Sequence, residues 1–210
     1  MLTMQLLENE SIRNFIYDES PRKLLIGSRG IGKTSALLLN MFRNSTRELP
    51  RDSFYIVSFS KGINTIKDNL LEICKDFNYK YIEVENRISK ALIKIKIGES
   101  TIYITSAKEF MNAYRYIKFK DIYIDEPNCI ADLNNLLEEV DMRTLWTRND
   151  HKVIVAGSSS LSGINLRDLS ANINYSRHTA VLDNNRQLEE LKQIMSTERF
   201  RTEIMCEFIS

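Results

Sequence analysis

A glycine-rich run is the segment of this sequence whose residue types and spacing point most directly to chemistry. It matches the pattern G-x-x-x-x-G-K-[ST] in full and consists of Gly27, Ser28, Arg29, Gly30, Ile31, Gly32, Lys33 and Thr34, with Ser35 directly after it. Glycines let successive backbone N–H groups turn toward one anion, and a helix beginning near Lys33 would aim the positive end of its dipole there. We therefore predict that the run binds nucleotide phosphates, with Lys33 at the β and γ phosphates and the Thr34 hydroxyl on Mg²⁺.

An acidic pair supplies groups that could hydrolyse such a nucleotide. Asp125 and Glu126 follow the apolar segment "DIYI", and ligands of open α/β sheets bind at the carboxyl ends of strands. Asp125 suits a water-mediated Mg²⁺ site, and Glu126 suits the base that orients and deprotonates the attacking water. The pair could instead merely begin a helix, since acids favour first turns and Pro127 suits that position. Beside a complete phosphate-binding run, ATP hydrolysis is favoured, and GTP is disfavoured because no Asn-Lys-x-Asp segment occurs.

Two serines could sense the terminal phosphate. Ser158 and Ser159 follow the apolar segment "VIVAG" and would lie beside the γ-phosphate if that strand neighbours the one before Gly27. The alternative is ordinary turn chemistry, which Gly and Ser supply in many proteins. A serine hydrolase is disfavoured because Gly-x-Ser-x-Gly is missing and neither histidine has an evident orienting acid.

Three arginines are candidates for stabilising charge on the transferred phosphate. Arg29 lies inside the glycine-rich run and could act within its own chain, whereas Arg143 and Arg148 lie near the end of the helix after Glu126. Such an arginine must reach the γ-phosphate from the same subunit or from a neighbour. Each could equally be a solvated residue or one that satisfies a helix dipole, so the choice stays open.

The elements that must position these groups alternate between strands and helices. Strands are predicted at "RKLLIG", Ser53–Ser60, a half-solvated hairpin over residues 88–106, Asp121–Asp125, "KVIVAG" and "HTAVLD". Helices are predicted from Lys33 to about Arg43 and over Ile63–Phe77. A third helix is predicted after Asp125, with Leu133, Leu136, Leu137 and Val140 on one face, and two more are predicted after Asn185. Because most of the strands are apolar on both faces, we predict one α/β domain with a mostly parallel sheet and helices on both faces.

Composition limits the partners and the other chemistries. With 29 basic against 28 acidic residues, the chain is no polycation, so any contact with DNA must be local or shared among subunits. No apolar run reaches the roughly 18 residues of a membrane span and no signal peptide is evident, so we expect a cytosolic protein without a membrane partner. Three distant cysteines and two histidines favour neither disulfides nor a His/Cys metal site. The cysteines are expected to be small buried residues.

The order of these parts resembles the ATPase domain of the large terminase subunit, the DNA-packaging motor of tailed bacteriophages. The resemblance rests on "GSRGIGKTS", on "YRYIKFKDIYIDEP", on "VIVAGSSS" and on the last stretch of the chain. Terminases commonly close this domain with an Asp-Asn segment, a helix and an Arg-Phe-Arg-x-Glu-x-x-x-x-Phe pattern, matched here by Asp183, Asn184, Arg199, Phe200, Arg201, Glu203 and Phe208.

The resemblance implies a mechanism and a set of partners. It implies a P-loop NTPase of the additional-strand, catalytic-glutamate type, with Asp125 on Mg²⁺, Glu126 as base and Ser158 with Ser159 in coupling. It also implies an arginine acting in trans near Arg148, with Arg143 as a rival. The implied partners are double-stranded DNA, the portal and procapsid, a small terminase subunit and further copies in a homo-oligomeric ring, all in the cytoplasm of an infected bacterial host.

The sequence departs from the family pattern in places. Tyr116 follows Arg115 where many terminases have glycine, and Asn185 replaces a usual proline. Family members commonly carry a nuclease domain next, and this chain stops at Ser210. We therefore predict a single ATPase domain over residues 1–210 without the nuclease, either as a fragment or as a motor without a cutter.

Two rival functions remain open at this stage. One is another nucleic-acid-directed P-loop ATPase, such as a helicase-like or integration motor, and the other is a slowly hydrolysing, ATP-gated binding module. The candidates for DNA contact are chosen only because they are basic: Lys94, Lys96, Arg115, Lys118 and Lys120. For Lys94 and Lys96, the solvated face of a strand is the favoured interpretation.

Overall fold

One mixed sheet forms the centre of the computed structural model, which describes residues 6–84, 91–144, 150–159, 164–182 and 185–207, with only the backbone described at 164, 165 and 185–187. Its strands are β1 (Arg22–Gly27), β2 (Ser53–Val57), β3 (Tyr81–Val84), β4 (Leu92–Ile97), β5 (Ser100–Ser106), β6 (Asp121–Asp125), β7 (Lys152–Gly157) and β8 (Ser176–Ala180). Their order across the sheet is β3-β4-β5-β2-β6-β7-β1-β8. Only the β3–β4 and β4–β5 pairs within this described sheet are antiparallel.

Helices lie between the strands and cover both faces of the sheet. They are α1 (Glu10–Tyr17), α2 (Lys33–Ser45), α3 (Ile63–Asp76), α4 (Ala107–Asn112), α5 (Leu133–Thr144), α6 (Ile164–Ala171), α7 (Asn185–Ile194) and α8 (Thr197–Glu203). Short 3₁₀ turns occupy Ser60–Gly62 and Pro127–Cys129. No helix in the described ranges has the length and apolar character needed to cross a bilayer.

The sheet separates two apolar layers, which explains why its central strands read as continuous hydrophobic runs. Alternate residues such as Leu25 and Tyr123 pack under α1, α2 and α3. Their neighbours, such as Leu24 and Ile122, pack under α4, α5 and α6. Because side chains alternate between the faces of a strand, a strand covered on both sides must be apolar throughout. The predicted α/β class with helices on both faces is confirmed.

The strand order sets the geometry of the site. Strand β7 lies between β1 and β6 and is parallel to both. Its register pairs Ile26 with Gly157 and Asp125 with Ala156, so β1, β7 and β6 end at one edge of the sheet. The strand before the glycine-rich run and the strand that ends in Asp125 are therefore separated by one added strand, and the predicted additional-strand type is confirmed.

Some predicted elements differ from the structure. The hairpin prediction holds for β4, where Ile95 and Ile97 are buried and Lys96 is exposed, but β5 is not half-solvated. Strand β5 pairs on its other side with β2, and every one of its residues except Tyr103 is buried. The strand predicted at "HTAVLD" lies earlier, at Ser176–Ala180.

Candidate nucleotide site

The glycine-rich run forms a loop between β1 and the first turn of α2, as its spacing predicts. Gly30 and Gly32 have φ angles of 82° and 91°, a left-handed region that residues with a Cβ rarely adopt. A Cβ on Gly32 would also clash with the Leu6 side chain. Helix α2 begins at Lys33 directly after Gly32, so its first-turn N–H groups lie where an anion would be stabilised.

Lys33 lies at the base of this loop and is nearly enclosed, with 6% of its side chain exposed. Its ammonium group donates a hydrogen bond to the Ser28 carbonyl oxygen at 3.0 Å and lies 3.8 Å from Glu126 Oε1. Burial lowers the pKa of Lys33, while the Glu126 carboxylate acts in the opposite direction. The lysine and the glutamate therefore form an ion pair, which a terminal phosphate bound between them would have to separate.

Asp125 is 8% exposed and has one satisfied and one free carboxylate oxygen among the described residues. Its Oδ2 accepts hydrogen bonds from the Thr34 hydroxyl at 2.9 Å and from the Tyr55 hydroxyl at 3.0 Å. Its Oδ1 is buried and has no partner in the described part of the chain. Burial raises the pKa of Asp125 to about 6, although the bonds from Thr34 and Tyr55 act against this rise.

This donor set fits Mg²⁺. A buried, unsatisfied carboxylate oxygen beside a threonine hydroxyl offers the hard oxygen ligands that Mg²⁺ prefers. The described ranges contain no cluster of three or more His, Cys, Asp or Glu side chains that could hold a metal. Phosphate oxygens and water would therefore complete the ion's shell, as is usual for Mg²⁺ at nucleotide sites.

Glu126 is held in an unusual backbone conformation at the end of β6. Its φ of 50° is left-handed, which for a non-glycine residue costs on the order of 1 kcal/mol and persists only where surrounding contacts enforce it. Its N–H donates to the Ala156 carbonyl oxygen at 2.9 Å. The Ser58 hydroxyl lies within hydrogen-bonding distance of the carbonyl oxygens of Asp125 (3.1 Å) and Glu126 (3.0 Å).

The two predicted coupling serines face different partners. The backbone N–H and hydroxyl of Ser158 donate to the two Glu126 carboxylate oxygens at 3.1 and 3.2 Å. The buried Ser159 hydroxyl donates to the Thr202 carbonyl oxygen in α8. Asn128 donates its amide to the Ser158 carbonyl oxygen at 2.8 Å. Since β7 neighbours β1, the condition that the sequence argument set for these serines is met.

The turn at the end of α8 contacts the glycine-rich loop. The Ser28 hydroxyl donates to the Ile204 carbonyl oxygen and accepts from the Leu182 N–H at 2.9 Å. The Arg29 N–H donates to the Glu203 carbonyl oxygen at 2.9 Å. The Arg29 guanidinium is 69% exposed and lies 3.5 Å from the Glu203 carboxylate, so little restrains it.

Part of this set lines a cleft of about 570 Å³, whereas Asp125 borders a second cavity of about 730 Å³ that also touches Thr34 and Glu126. The lining of the cleft comprises Arg29, Gly30, Gly32, Lys33, Thr34, Glu126, Asn128, Cys129, Ser158, Ser159 and Glu203. Four members of the predicted binding run do not line it, namely Gly27, Ser28, Ile31 and Ser35. Ser35 borders a separate small cavity beside Leu6. Cys129, expected to be buried, is exposed in the cleft.

Of the two arginines considered for action in trans, Arg143 belongs to the described part of the chain and Arg148 does not. Arg143 is 6% exposed, and its guanidinium donates to Glu139 Oε1 at 2.8 Å and to the Phe110 carbonyl oxygen at 2.7 Å. It also lies 4.1 Å from the Phe110 ring centroid. The structure thus disfavours Arg143 as a trans arginine, because its guanidinium is nearly buried and bonded within its own subunit.

The basic residues named for DNA contact are spread over different environments. Lys120 pairs with Asp150 at 3.0 Å, and Arg115 lies 3.6 Å from Glu139. Lys94 lies over the Tyr103 ring at 5.7 Å. No common basic surface follows from these contacts.

Four residues in or near the site were not predicted from the sequence as members of it, although Glu203 belongs to the C-terminal pattern quoted above. Tyr55, Ser58 and Asn128 bond to Asp125, Glu126 or Ser158, and Glu203 faces Arg29. Tyr55 and Ser58 belong to the segment "SFYIVS", so polar atoms near the carboxyl end of a second buried strand were the available signal. Nothing in the spacing of Asn128 or Glu203 pointed to these contacts.

Solved structures provide the comparison with known proteins, since no family model and no curated protein matches the chain. The ATPase domain of the Thermus phage P74-26 large terminase is similar with a TM-score of 0.73 and 11% identity, over 98% of this chain and 97% of that one. The large terminase of a thermophilic bacteriophage, in complex with ADP, gives a TM-score of 0.72 and 10% identity, over 96% of this chain and 54% of that one.

A third similar structure is smaller. The N-terminal domain of the DNA packaging ATPase from bacteriophage phi29 gives a TM-score of 0.55 and 14% identity, over 79% of this chain and 92% of that one. The chain spans about half the length of the ADP-bound terminase. At these identities a likeness concerns the fold, and it agrees with the resemblance found in the sequence. The chain therefore has the fold of the ATPase domain of phage large terminases.

Proposed function

We propose that the protein is a Mg²⁺-dependent ATPase that powers the translocation of double-stranded viral DNA into a procapsid. The observation that carries the ATPase part is that Lys33 and Glu126 meet at the wall of one cleft, where they form an ion pair at 3.8 Å, with the Thr34 hydroxyl bonded to Asp125 nearby. A glycine-rich loop, a buried aspartate and an adjacent glutamate are the parts that hydrolysis of a nucleoside triphosphate requires. The DNA-packaging part is supported by the terminase fold.

In the proposed reaction, water attacks the γ-phosphate in line with the leaving oxygen. Glu126 orients that water and takes its proton, and Lys33 neutralises charge on the β and γ phosphates. Bound Mg²⁺, held by the Thr34 hydroxyl and through water by Asp125, would offset further charge on these phosphates.

Release of the γ-phosphate would then be transmitted through the serines. Ser158 contacts Glu126, and the next residue, Ser159, contacts Thr202 in α8. A change at the phosphate can therefore reach the C-terminal helix over two neighbouring residues. We propose that this route links hydrolysis to the surface that holds DNA.

Glu126→Gln tests the assignment of the base. We expect the variant to bind ATP as the wild type does and to lose turnover by at least about 100-fold, because the amide cannot accept the proton. ATP binding is measured by calorimetry and turnover by phosphate release. Turnover near the wild-type rate would show that Glu126 is not the base.

The nature of the motor is tested on the same two proteins. Wild-type protein, but not Glu126→Gln, should move along intact duplex DNA in the presence of portal and procapsid without separating the strands. Strand separation would favour the helicase-like alternative. Tight ATP binding with no turnover at any protein or DNA concentration would favour the binding module.

The ring and the remaining partners belong to the same proposal. Arg29 is the arginine that lines the cleft within the described residues, so a second arginine would have to come from elsewhere, and we propose Arg148 of a neighbouring copy. A small terminase subunit and the cytoplasm of an infected bacterium complete the proposed setting.

A further inference from the structure

Tyr55 hydrogen-bonds to Asp125 of the proposed Mg²⁺ site from the interior of the sheet. It lies in the middle of β2, is fully buried, and donates its hydroxyl to Asp125 Oδ2 at 3.0 Å. The register of β2 and β6 places Tyr55 opposite Tyr123. The two rings are stacked, with their centroids 6.5 Å apart and an interplanar angle of 6°. Because side chains two apart share a face of a strand, Asp125 projects on the same side as Tyr123.

The bonds to Asp125 leave its two oxygens in different states. Both neutral donors, Tyr55 and Thr34, bond to Oδ2, whereas the buried Oδ1 has no partner among the described residues. A carboxylate held through one oxygen cannot rotate without breaking those bonds. Oδ1 is therefore the oxygen that remains for a cation or its water.

We propose that Tyr55 is a positioning residue for Mg²⁺, fixing the Asp125 carboxylate so that Oδ1 is presented to the ion's hydration shell. The inference rests on the proposed nucleotide site and adds a residue that no motif assigns. Thr34 would itself bind the ion, so Tyr55 is the donor whose only task at Asp125 is orientation. Partners of this kind, outside the ligand shell, typically change metal affinity by 10- to 100-fold.

The test is Tyr55→Phe, which keeps the ring and its stacking on Tyr123 and removes only the hydroxyl. Binding of a fluorescent ATP analogue to the full chain is followed while Mg²⁺ is titrated. We expect the Mg²⁺ concentration at half-effect to rise by about 10-fold. Analogue binding in excess EDTA should be unchanged, because the Tyr55 hydroxyl bonds to Asp125 and not to the phosphate-binding loop.

Tyr123→Phe is the matched control. It removes the same group from the neighbouring ring on the same face, but its hydroxyl accepts a bond from the Asn44 amide at 2.8 Å rather than contacting Asp125. We expect it to keep the wild-type Mg²⁺ titration, whatever it does to thermal unfolding. In an Asp125→Asn background, Tyr55→Phe should add no further shift.

Two results would overturn the inference. One is a wild-type Mg²⁺ titration in folded Tyr55→Phe, and the other is an equal shift in both tyrosine variants, which would indicate general loosening of the sheet. If the wild type shows no Mg²⁺-dependent nucleotide binding, this inference and the proposed function both fail. If the shift is found but no protein hydrolyses ATP, only the proposed function fails.

Discussion

Single residues show most clearly what could be read from the sequence. The loop from Gly27 to Thr34 and the pair Asp125 and Glu126 were recognisable because backbone freedom and paired carboxylates are scarce and their order is fixed by phosphate chemistry. The hydrogen bonds from Tyr55 and Ser58 could not be predicted, because a hydroxyl in an apolar strand does not indicate which strand will lie beside it. The groups that the structure brings together at the loop and the acidic pair could thus be named from the sequence, whereas Tyr55 and Ser58, which bond to the acidic pair, could not.

Lys23 provides a prediction at the same scale. It is fully buried, and its ammonium group donates to the carbonyl oxygens of Phe15 and Asp18, both at 2.9 Å. Burial lowers the pKa of Lys23 from 10.5 to about 7. Between these two values the unfolded chain binds more protons than the folded chain, so the contribution of Lys23 to stability rises with pH across that window. Below the folded pKa both states are protonated and the contribution is constant.

We therefore expect the free energy of unfolding to rise more steeply from pH 7 to 9 in the wild type than in Lys23→Met, by about 1 kcal/mol per pH unit. Urea unfolding at several pH values measures both slopes. Using the difference between the two proteins cancels the titration of all other groups that the substitution leaves unchanged. Parallel slopes would mean that Lys23 titrates near its ordinary pKa in the folded protein.

At the scale of elements, long apolar runs were predictable, whereas several short segments were not. Strands β1, β2, β6 and β7 are buried on both faces, which left little room for polar residues in their sequences. Helices α4 and α6 have only 6 and 8 residues, too few turns for a clear period. Helix α1 also has 8 residues, but it buries Ile12, Phe15 and Ile16 on one face, a helical spacing that the sequence does carry. The position of β5 depended on its pairing with β2, which no local pattern encodes.

The hydrogen bond between Ser159, just beyond β7, and helix α8 leads to a prediction at the scale of elements. Ser159→Ala removes the bond to the Thr202 carbonyl oxygen in a buried setting, so we expect a loss of about 1 kcal/mol in the free energy of unfolding. Hydrogen exchange of the α8 amides, Thr197–Glu203, should become faster. Ser158→Ala is the control: its hydroxyl faces Glu126, so α8 exchange should stay unchanged while ATP turnover changes. Equal exchange in both variants would argue against a link through Ser159.

At the scale of the whole molecule, the cleft is lined by two basic side chains within the described residues, Arg29 and Lys33. Net charge is +1, and the basic residues named for DNA contact lie in different environments. The sequence resemblance anticipated the fold of the described residues, which is similar to that of the Thermus phage P74-26 terminase ATPase domain even at 11% identity. Surfaces that meet DNA or another copy carry no such fixed order, which is why no residue could be assigned to them with the same force.

An active site completed between subunits makes a specific prediction. Arg148→Ala and Glu126→Gln should each abolish turnover alone, yet a mixture of the two should regain it. The Glu126→Gln chain can lend its arginine to an Arg148→Ala neighbour whose own glutamate is intact, and random mixing pairs about a quarter of the sites in this way. Turnover per chain is measured with Mg²⁺ and duplex DNA over a wide range of protein concentration. A mixture as inactive as its components, with a wild-type rate per chain that does not depend on concentration, would indicate a self-sufficient site.

The bonds between Ser158 and Glu126 have one more consequence, which concerns ATP consumption between working cycles. Both carboxylate oxygens of Glu126 already accept hydrogen bonds from Ser158, and Oε1 also lies 3.8 Å from the Lys33 ammonium group. A water that Glu126 is to orient must therefore compete with these partners for the carboxylate. Under the proposed function, hydrolysis would wait until Ser158 moves away from Glu126, and a subunit that is not yet engaged would consume little ATP.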